Sequence, residues 1–143
     1  MRDFSADHTL VSHTVEAELI GSDDLSTLLG AELHYDASDP YAVTMVLTGA
    51  TGPVVWVFGR DLLLEGLGEP TGDGDVHVWP SLDGRGRAVV LVELCPPSGA
   101  ALVQLRSAEL ARFVDRMVEL VAPGNESDHL DVDAGIAALL PTP

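Results

Sequence analysis

The sequence predicts a single α+β domain of antiparallel strands with a short mid-chain helix and C-terminal helices. Three observations predict it. Much of the chain alternates apolar and polar residues with the two-residue period of half-buried strands. Short segments rich in Gly, Pro, Asp and Ser separate these runs, which implies antiparallel neighbours. Near residue 107 the period changes to that of an amphipathic helix. A length of 143 residues fits one domain, taken as residues 1–143 with 1–9 expected to be flexible, and a hydrophobic content of 46% is enough to fill its core.

The first strand runs from Leu10 to Ile20, with Val11, Val15, Ala17 and Leu19 on one side and Ser12, Thr14, Glu16 and Glu18 on the other. Gly21-Ser22-Asp23-Asp24 reads as a loop. A second strand is expected near Ala31–Tyr35, with Ala31, Leu33 and Tyr35 aligned. Asp36-Ala37-Ser38-Asp39-Pro40 is a turn in which Asp and Ser bond nearby backbone and Pro40 fixes its own φ. Tyr41–Thr48 places Tyr41, Val43, Met45 and Leu47 together, and Gly49–Pro53 makes a hairpin connection. The fourth strand, Val54–Phe58, is apolar on both faces and is expected to be the most buried.

A short helix follows, Arg60–Leu67, stopped by Gly66 and Gly68. Glu69–Asp75 reads as loop. Val76–Trp79 is a strand ended by Pro80, Asp83-Gly84-Arg85-Gly86-Arg87 is a hairpin tip, Ala88–Leu94 is an apolar strand and Ala101–Leu105 a shorter one. Ser107 suits the N-cap of a helix from Ala108 to about Val121, whose stripe is Leu110, Phe113, Val114, Met117 and Val121. Arg112, Asp115, Arg116 and Glu119 fall on its solvated side. Pro123-Gly124 breaks the chain, and Asp133 is placed to cap a last short helix carrying Ile136, Leu139 and Leu140.

Charge narrows the function. Seven basic residues, all Arg, stand against 23 acidic ones, a formal net charge of −16. Such a surface repels phosphate backbones and anionic membranes, whose affinity for proteins comes from cations. No apolar run reaches the roughly 20 residues that span a bilayer. The start of the chain lacks the basic and apolar blocks of a signal peptide, and the single Cys95 has no internal disulfide partner. These features point to a cytoplasmic protein.

Motifs for chemistry are missing. His8, His13, His34, His77 and His129 have no Cys or His neighbour at metal-ligand spacing, and His34 and His77 are expected on the surface of a sheet. Asp73-Gly74-Asp75 begins like a calcium loop, but His77 and Val78 stand where the third ligand and the Gly belong. Gly66, Gly68, Gly72 and Gly74 fit no phosphate-loop pattern, and there is no Lys to reach a phosphate. No serine lies in a GxSxG elbow. Cys95 reads as a small core residue, and no carboxylates pair for acid–base work. Arg85 and Arg87 form the only close basic pair before the long helix, and Asp83 beside them argues against a nucleic-acid contact. Trp56 and Trp79 fit the core, with Trp79 beside Pro80 also suited to a partner contact. No catalytic, cofactor-binding or metal-ligating residue is assigned, and no cofactor is expected.

Several blocks in order resemble the SsgA-like sporulation and cell division family of actinomycetes, and most nearly its SsgB type. They are Tyr35-Asp36-Ala37-Ser38-Asp39-Pro40-Tyr41-Ala42-Val43, then Val55-Trp56-Val57-Phe58-Gly59-Arg60-Asp61-Leu62-Leu63 with Glu65-Gly66-Leu67, then Pro70-Thr71-Gly72, and Gly74-Asp75-Val76-His77-Val78-Trp79-Pro80. The resemblance runs from about Val15 to near the C terminus. It implies a non-enzymatic adaptor that helps place the tubulin-like GTPase FtsZ at the septum, with other SsgA-like or division proteins as further partners. It also implies two antiparallel sheets in a Whirly-like fold and a homo-oligomer, a trimer. Neither nucleic acid nor membrane insertion is expected, with recruitment from the cytoplasm to the septum. Two other classes stay open: a single-stranded nucleic-acid binder by fold analogy, and an enzyme with a cluster of buried carboxylates.

Overall fold

Eight strands and two helices are seen in a computed structural model that describes residues 9–21, 25–97 and 99–130. In chain order they are β1 (Leu10–Ile20), β2 (Ser26–Asp36), β3 (Ala42–Gly49), β4 (Gly52–Gly59), α1 (Arg60–Gly66), β5 (Thr71–Asp73), β6 (Val76–Leu82), β7 (Ala88–Leu94), β8 (Ala101–Arg106) and α2 (Ser107–Leu120). A 3-10 turn, Glu126–His129, follows. The expected helix capped by Asp133 and the polar start of the chain, apart from Thr9, lie outside the described residues, as do Ser22, Asp23 and Asp24 of the first loop.

The strands form one antiparallel sheet in the order β4-β3-β2-β1-β8-β7-β6-β5, rather than two. The two expected sheets merge because β1 pairs on both sides, with β2 along its length and with β8 through Ala17–Ile20. The sheet must curl. Laid flat, seven inter-strand spacings would separate its edges by roughly 34 Å. Yet α1, which leaves the end of β4, packs on β5 and β6 at the opposite edge. The helices sit inside the curl, α2 against β1, β7 and β8. The core lies between, with Leu33, Val43, Met45, Val78, Val92 and Phe113 fully buried.

The predicted alternations hold on β1 and β2, where Val11, Val15, Ala17, Ala31, Leu33 and Tyr35 are buried, and the helical stripe from Leu110 to Val121 is buried as drawn. The turn after β2 closes as expected, with Asp36 Oδ1 accepting from Ser38 N and Oγ at 2.9 and 2.8 Å. Tyr35 donates its hydroxyl to Pro40 O at 2.9 Å beneath it.

Several expectations are corrected. Tyr41 precedes β3 and is 48% exposed instead of joining Val43. Thr71–Asp73 is a strand, paired with Val76–Val78, rather than loop. Pro80 does not end its strand: it lies inside β6, opposite Val90. It is tolerated because β5 stops at Val78's level, so the other side of Pro80 has no ladder to break. Ser107 is the first residue of α2 and Arg106 its N-cap, with no side-chain cap bond. Cys95 is half-buried on the sheet rather than in the core. The largest correction is β4, an edge strand with most of its apolar residues in solvent.

Candidate protein-interaction surface

β4 pairs with β3 from Gly52–Gly49 to Gly59–Ala42 and, among the described residues, has no strand on its other side. Its alternation splits it between two faces. Phe58 is buried on the concave face, Trp56 is half-buried there, and Val54 at the start is 52% exposed. Val55 and Val57 point to the convex face and are each 60% exposed. Pro53 opens the strand, and Gly52 takes φ +107° to close the two-residue turn. Little else blunts this edge: the usual charged residues of an exposed edge strand are missing from Val54 to Phe58.

The concave face continues from β4 into an apolar groove of about 460 Å³ at the end of the curl that α1 and α2 leave uncovered. Leu19, Leu29, Leu47, Trp56, Leu94 and Val103 line it, so strands from both halves of the sheet contribute and, among the described residues, no helix residue does. Val54 belongs to the groove as well as to the exposed edge. Leu28 and Leu25, 77% and 69% exposed, extend the apolar surface at the start of β2. Patches of this kind mark interaction sites more often than ordinary surface. Of the two apolar strands Val54–Phe58 and Ala88–Leu94, the first leaves apolar surface in solvent. Ala88–Leu94 does not, because Val89, Val90, Val92 and Leu94 are buried in the middle of the sheet. Trp79 is half-buried.

The helix that leaves β4 is anchored by a residue that no local sequence motif marks. Arg60 is completely buried. Its Nη1 donates to Val121 O at 2.9 Å and to Tyr35 Oη at 3.2 Å, and its Nη2 lies 3.2 Å from Glu126 Oε2. The guanidinium carbon stands 5.5 Å from the Tyr35 ring centre. Glu126 also accepts from Gly124 N at 2.7 Å, and backbone N–H donors, with Arg60 adding to them, hold its carboxyl below the usual range. Burial pushes the Tyr35 hydroxyl up. A charged residue opening a helix directly after an apolar strand was the available signal, and it was not decisive without knowledge of its distant partners.

At the β6–β7 tip Asp83 Oδ1 accepts the backbone N–H groups of Arg85 and Arg87, and Oδ2 accepts from Arg87 Nε at 2.9 Å. Asp83 therefore ties up one member of the pair, and these bonds hold its own carboxyl low. On the other face of the fold, His13 stacks edge-on against Phe113, 5.8 Å between ring centres, and sits 3.1 Å from Arg116 Nη1. Burial, with Arg116 and Arg112 nearby, lowers its pKa.

His34 and His77 are half-exposed on the sheet, as expected. The fold nevertheless brings His77, Glu93 and Cys95 together, which no local spacing rule reveals. Burial first, then Glu93 and Asp75, raise the Cys95 thiol above its ordinary value. Among the described residues no helix is long and apolar enough to cross a membrane.

The comparisons with known proteins agree with the blocks read from the sequence. The sporulation-specific cell division protein SsgB of Streptomyces coelicolor is 43% identical over 134 residues, 93% of this chain and 97% of its own. SsgB of Saccharopolyspora erythraea is 41% identical over 136 residues, covering 94% and 95%. A crystal structure of an SsgA-like sporulation-specific cell division protein from Thermobifida fusca superposes with a TM-score of 0.82 at 41% identity, covering 92% of this chain and 96% of that one. A structure described in connection with SsgB mutations that correlate to longitudinal cell division during sporulation of Streptomyces coelicolor gives 0.80 at 45% identity, covering 85% and 95%. The pattern of the family described as "Streptomyces sporulation and cell division protein, SsgA" matches residues 29–126, and the chain belongs to that family.

Proposed function

We propose that this chain is a non-enzymatic adaptor of sporulation-linked cell division, which helps position or promote assembly of FtsZ at septation sites. It meets its partners, including copies of itself in a closed ring of three, through the β4 edge and the adjoining groove. The observation that carries this reading is Val54, Val55 and Val57, 52%, 60% and 60% exposed on an open strand edge of a chain whose relatives are sporulation-specific cell division proteins. An unpaired apolar edge gains by adding a strand or covering a sheet face, which is how protein partners dock. A ring must close, since a head-to-tail contact that failed to close would build filaments. The protein is placed in the cytoplasm and recruited to the septum by these contacts.

The enzyme reading loses ground. Among the described residues the carboxyls whose pKa is displaced, Asp83 and Glu126, are both held low, opposite to what a proton donor needs. The nucleic-acid reading has the net charge of −16 against it, and a Whirly-like likeness carries no function by itself. The test is light scattering of FtsZ with and without the purified protein, beside a direct binding measurement. A change in polymerisation and a detectable complex support the adaptor. Unaltered scattering with no complex overturns it.

A further inference from the structure

His77 on β6 stands directly opposite Glu93 on β7. Opposite residues of an antiparallel pair share a face, and so do residues two apart on one strand. Cys95 therefore projects beside Glu93. Its backbone extends the ladder past the end of β7, with its N–H donating to Asp75 O at 2.9 Å. One ligand atom from each of His77, Glu93 and Cys95 lies within 4.8 Å of the others. His77 Nδ1 approaches Glu93 Oε1 to 3.3 Å, yet it is buried and has no aligned hydrogen-bond partner. The ring is seated over β5 by the absence of a side chain at Gly72, where a Cβ would come within 2.2 Å of its Cδ2.

We propose that His77, Glu93 and Cys95 form a binding site for a zinc-class divalent metal ion. The donor set is one imidazole nitrogen, one carboxylate oxygen and one thiol sulfur. Calcium and magnesium take oxygen ligands, whereas zinc combines these three types. Zinc bonds of roughly 2.0–2.3 Å in a tetrahedron place ligand atoms about 3.3–3.8 Å apart. The present spread closes to that by rotating half-exposed side chains, with no movement of the paired backbone. Water takes the fourth position. Binding expels the thiol proton to solvent and leaves a thiolate on the metal. The ion would clasp β6 to β7 next to β5, the shortest strand and the second edge of the sheet. This site is independent of the β4 surface and of the adaptor reading.

The experiment is a cobalt(II) titration of the tag-free full chain, followed by zinc displacement. One equivalent should bind with a thiolate-to-cobalt charge-transfer band in the near ultraviolet and the visible intensity of a tetrahedral site. Cys95 is the single cysteine of the chain, so the band reports that residue alone within each molecule. Cys95→Ser should abolish it. His77→Gln and Glu93→Gln should each weaken zinc binding by more than the roughly 10–100-fold that loss of a mere supporting group costs. His34→Gln is the control, because His34 is a half-exposed sheet histidine near a carboxylate, Glu32, with no thiol in its group. Absence of the band overturns the proposal. So does a stoichiometry of half an ion per chain, which would mean a metal bridging two molecules, or an effect of His34→Gln equal to that of His77→Gln.

Discussion

Arg60 Nη2 lies 3.2 Å from Glu126 Oε2, and this pair ties the start of α1 to the 3-10 turn after α2. The same guanidinium holds the carbonyl of Val121 and the hydroxyl of Tyr35, so one buried cation joins three separate parts of the chain. A buried ion pair is weak evidence for net stability, but removing one partner strands the others. Arg60→Met should therefore destabilise the fold by about 3–5 kcal/mol in denaturant unfolding. A loss under about 1 kcal/mol would show that the buried groups find other partners.

Acid should weaken the fold in two stages. The His13 pKa is depressed below its ordinary 6.5, so the unfolded chain takes up that proton first. Stability is then complete above pH 6.5 and falls as pH drops below it toward the folded value. Glu126 is also depressed, below its ordinary 4.5, and its share is present above pH 4.5 and lost as pH falls further. Melting temperatures of wild type and His13→Gln across this range should differ in slope between pH 6.5 and the His13 folded value. Parallel curves would remove His13 from the account.

Phe113 is fully buried in α2 and supports the His13 ring. Phe113→Ala should cost about 3–5 kcal/mol through lost contact and a cavity. An unchanged melting temperature would contradict the burial of the helical stripe.

Gly66 ends α1 where it presses on β6. A Cβ at this position would come within 2.3 Å of Val78 Cγ1, a fully buried side chain with no free end to swing away. Gly66→Ala gains about 1 kcal/mol of helix propensity, but overpacking costs about 1–3 kcal/mol and should win. Adding Val78→Ala should recover part of the loss in a double-mutant cycle. Simple additivity would mean the helix shifts instead.

What could be read from the sequence was what neighbours in the chain decide. Val11, Val15 and Ala17 alternate because one face of β1 is buried, and Leu110, Phe113 and Met117 recur at helical spacing for the same reason. What could not be read depends on order across the sheet. A strand apolar on both faces, such as Val54–Phe58, has the same pattern whether it lies in the middle of a sheet or at an edge awaiting a partner. Pro80 looked like a strand terminator because nothing local shows that β5 stops short of it. Arg60 with Glu126, and His77 with Cys95, meet only through the fold. Their separations match no local motif.

The exposed edge supplies the last prediction. Val55 and Val57 are each 60% exposed on the convex face of β4, with neither in the core. Val55→Lys with Val57→Lys should change stability by no more than about 0.5 kcal/mol per site, as surface substitutions do. Lysine is also the residue that exposed edge strands use to refuse pairing. If this edge is where copies and partners meet, wild type should sediment at a multiple of the 15.1 kDa chain mass, three for a closed ring, and the double variant at one. The variant should also lose its effect on FtsZ scattering. Loss of assembly with FtsZ activity retained would assign the edge to self-association and move the FtsZ contact to the groove, where Leu29→Glu and Trp56→Ala would test it. A variant that still assembles and still acts on FtsZ would show that β4 is merely an exposed edge, and the interaction surface would have to lie elsewhere.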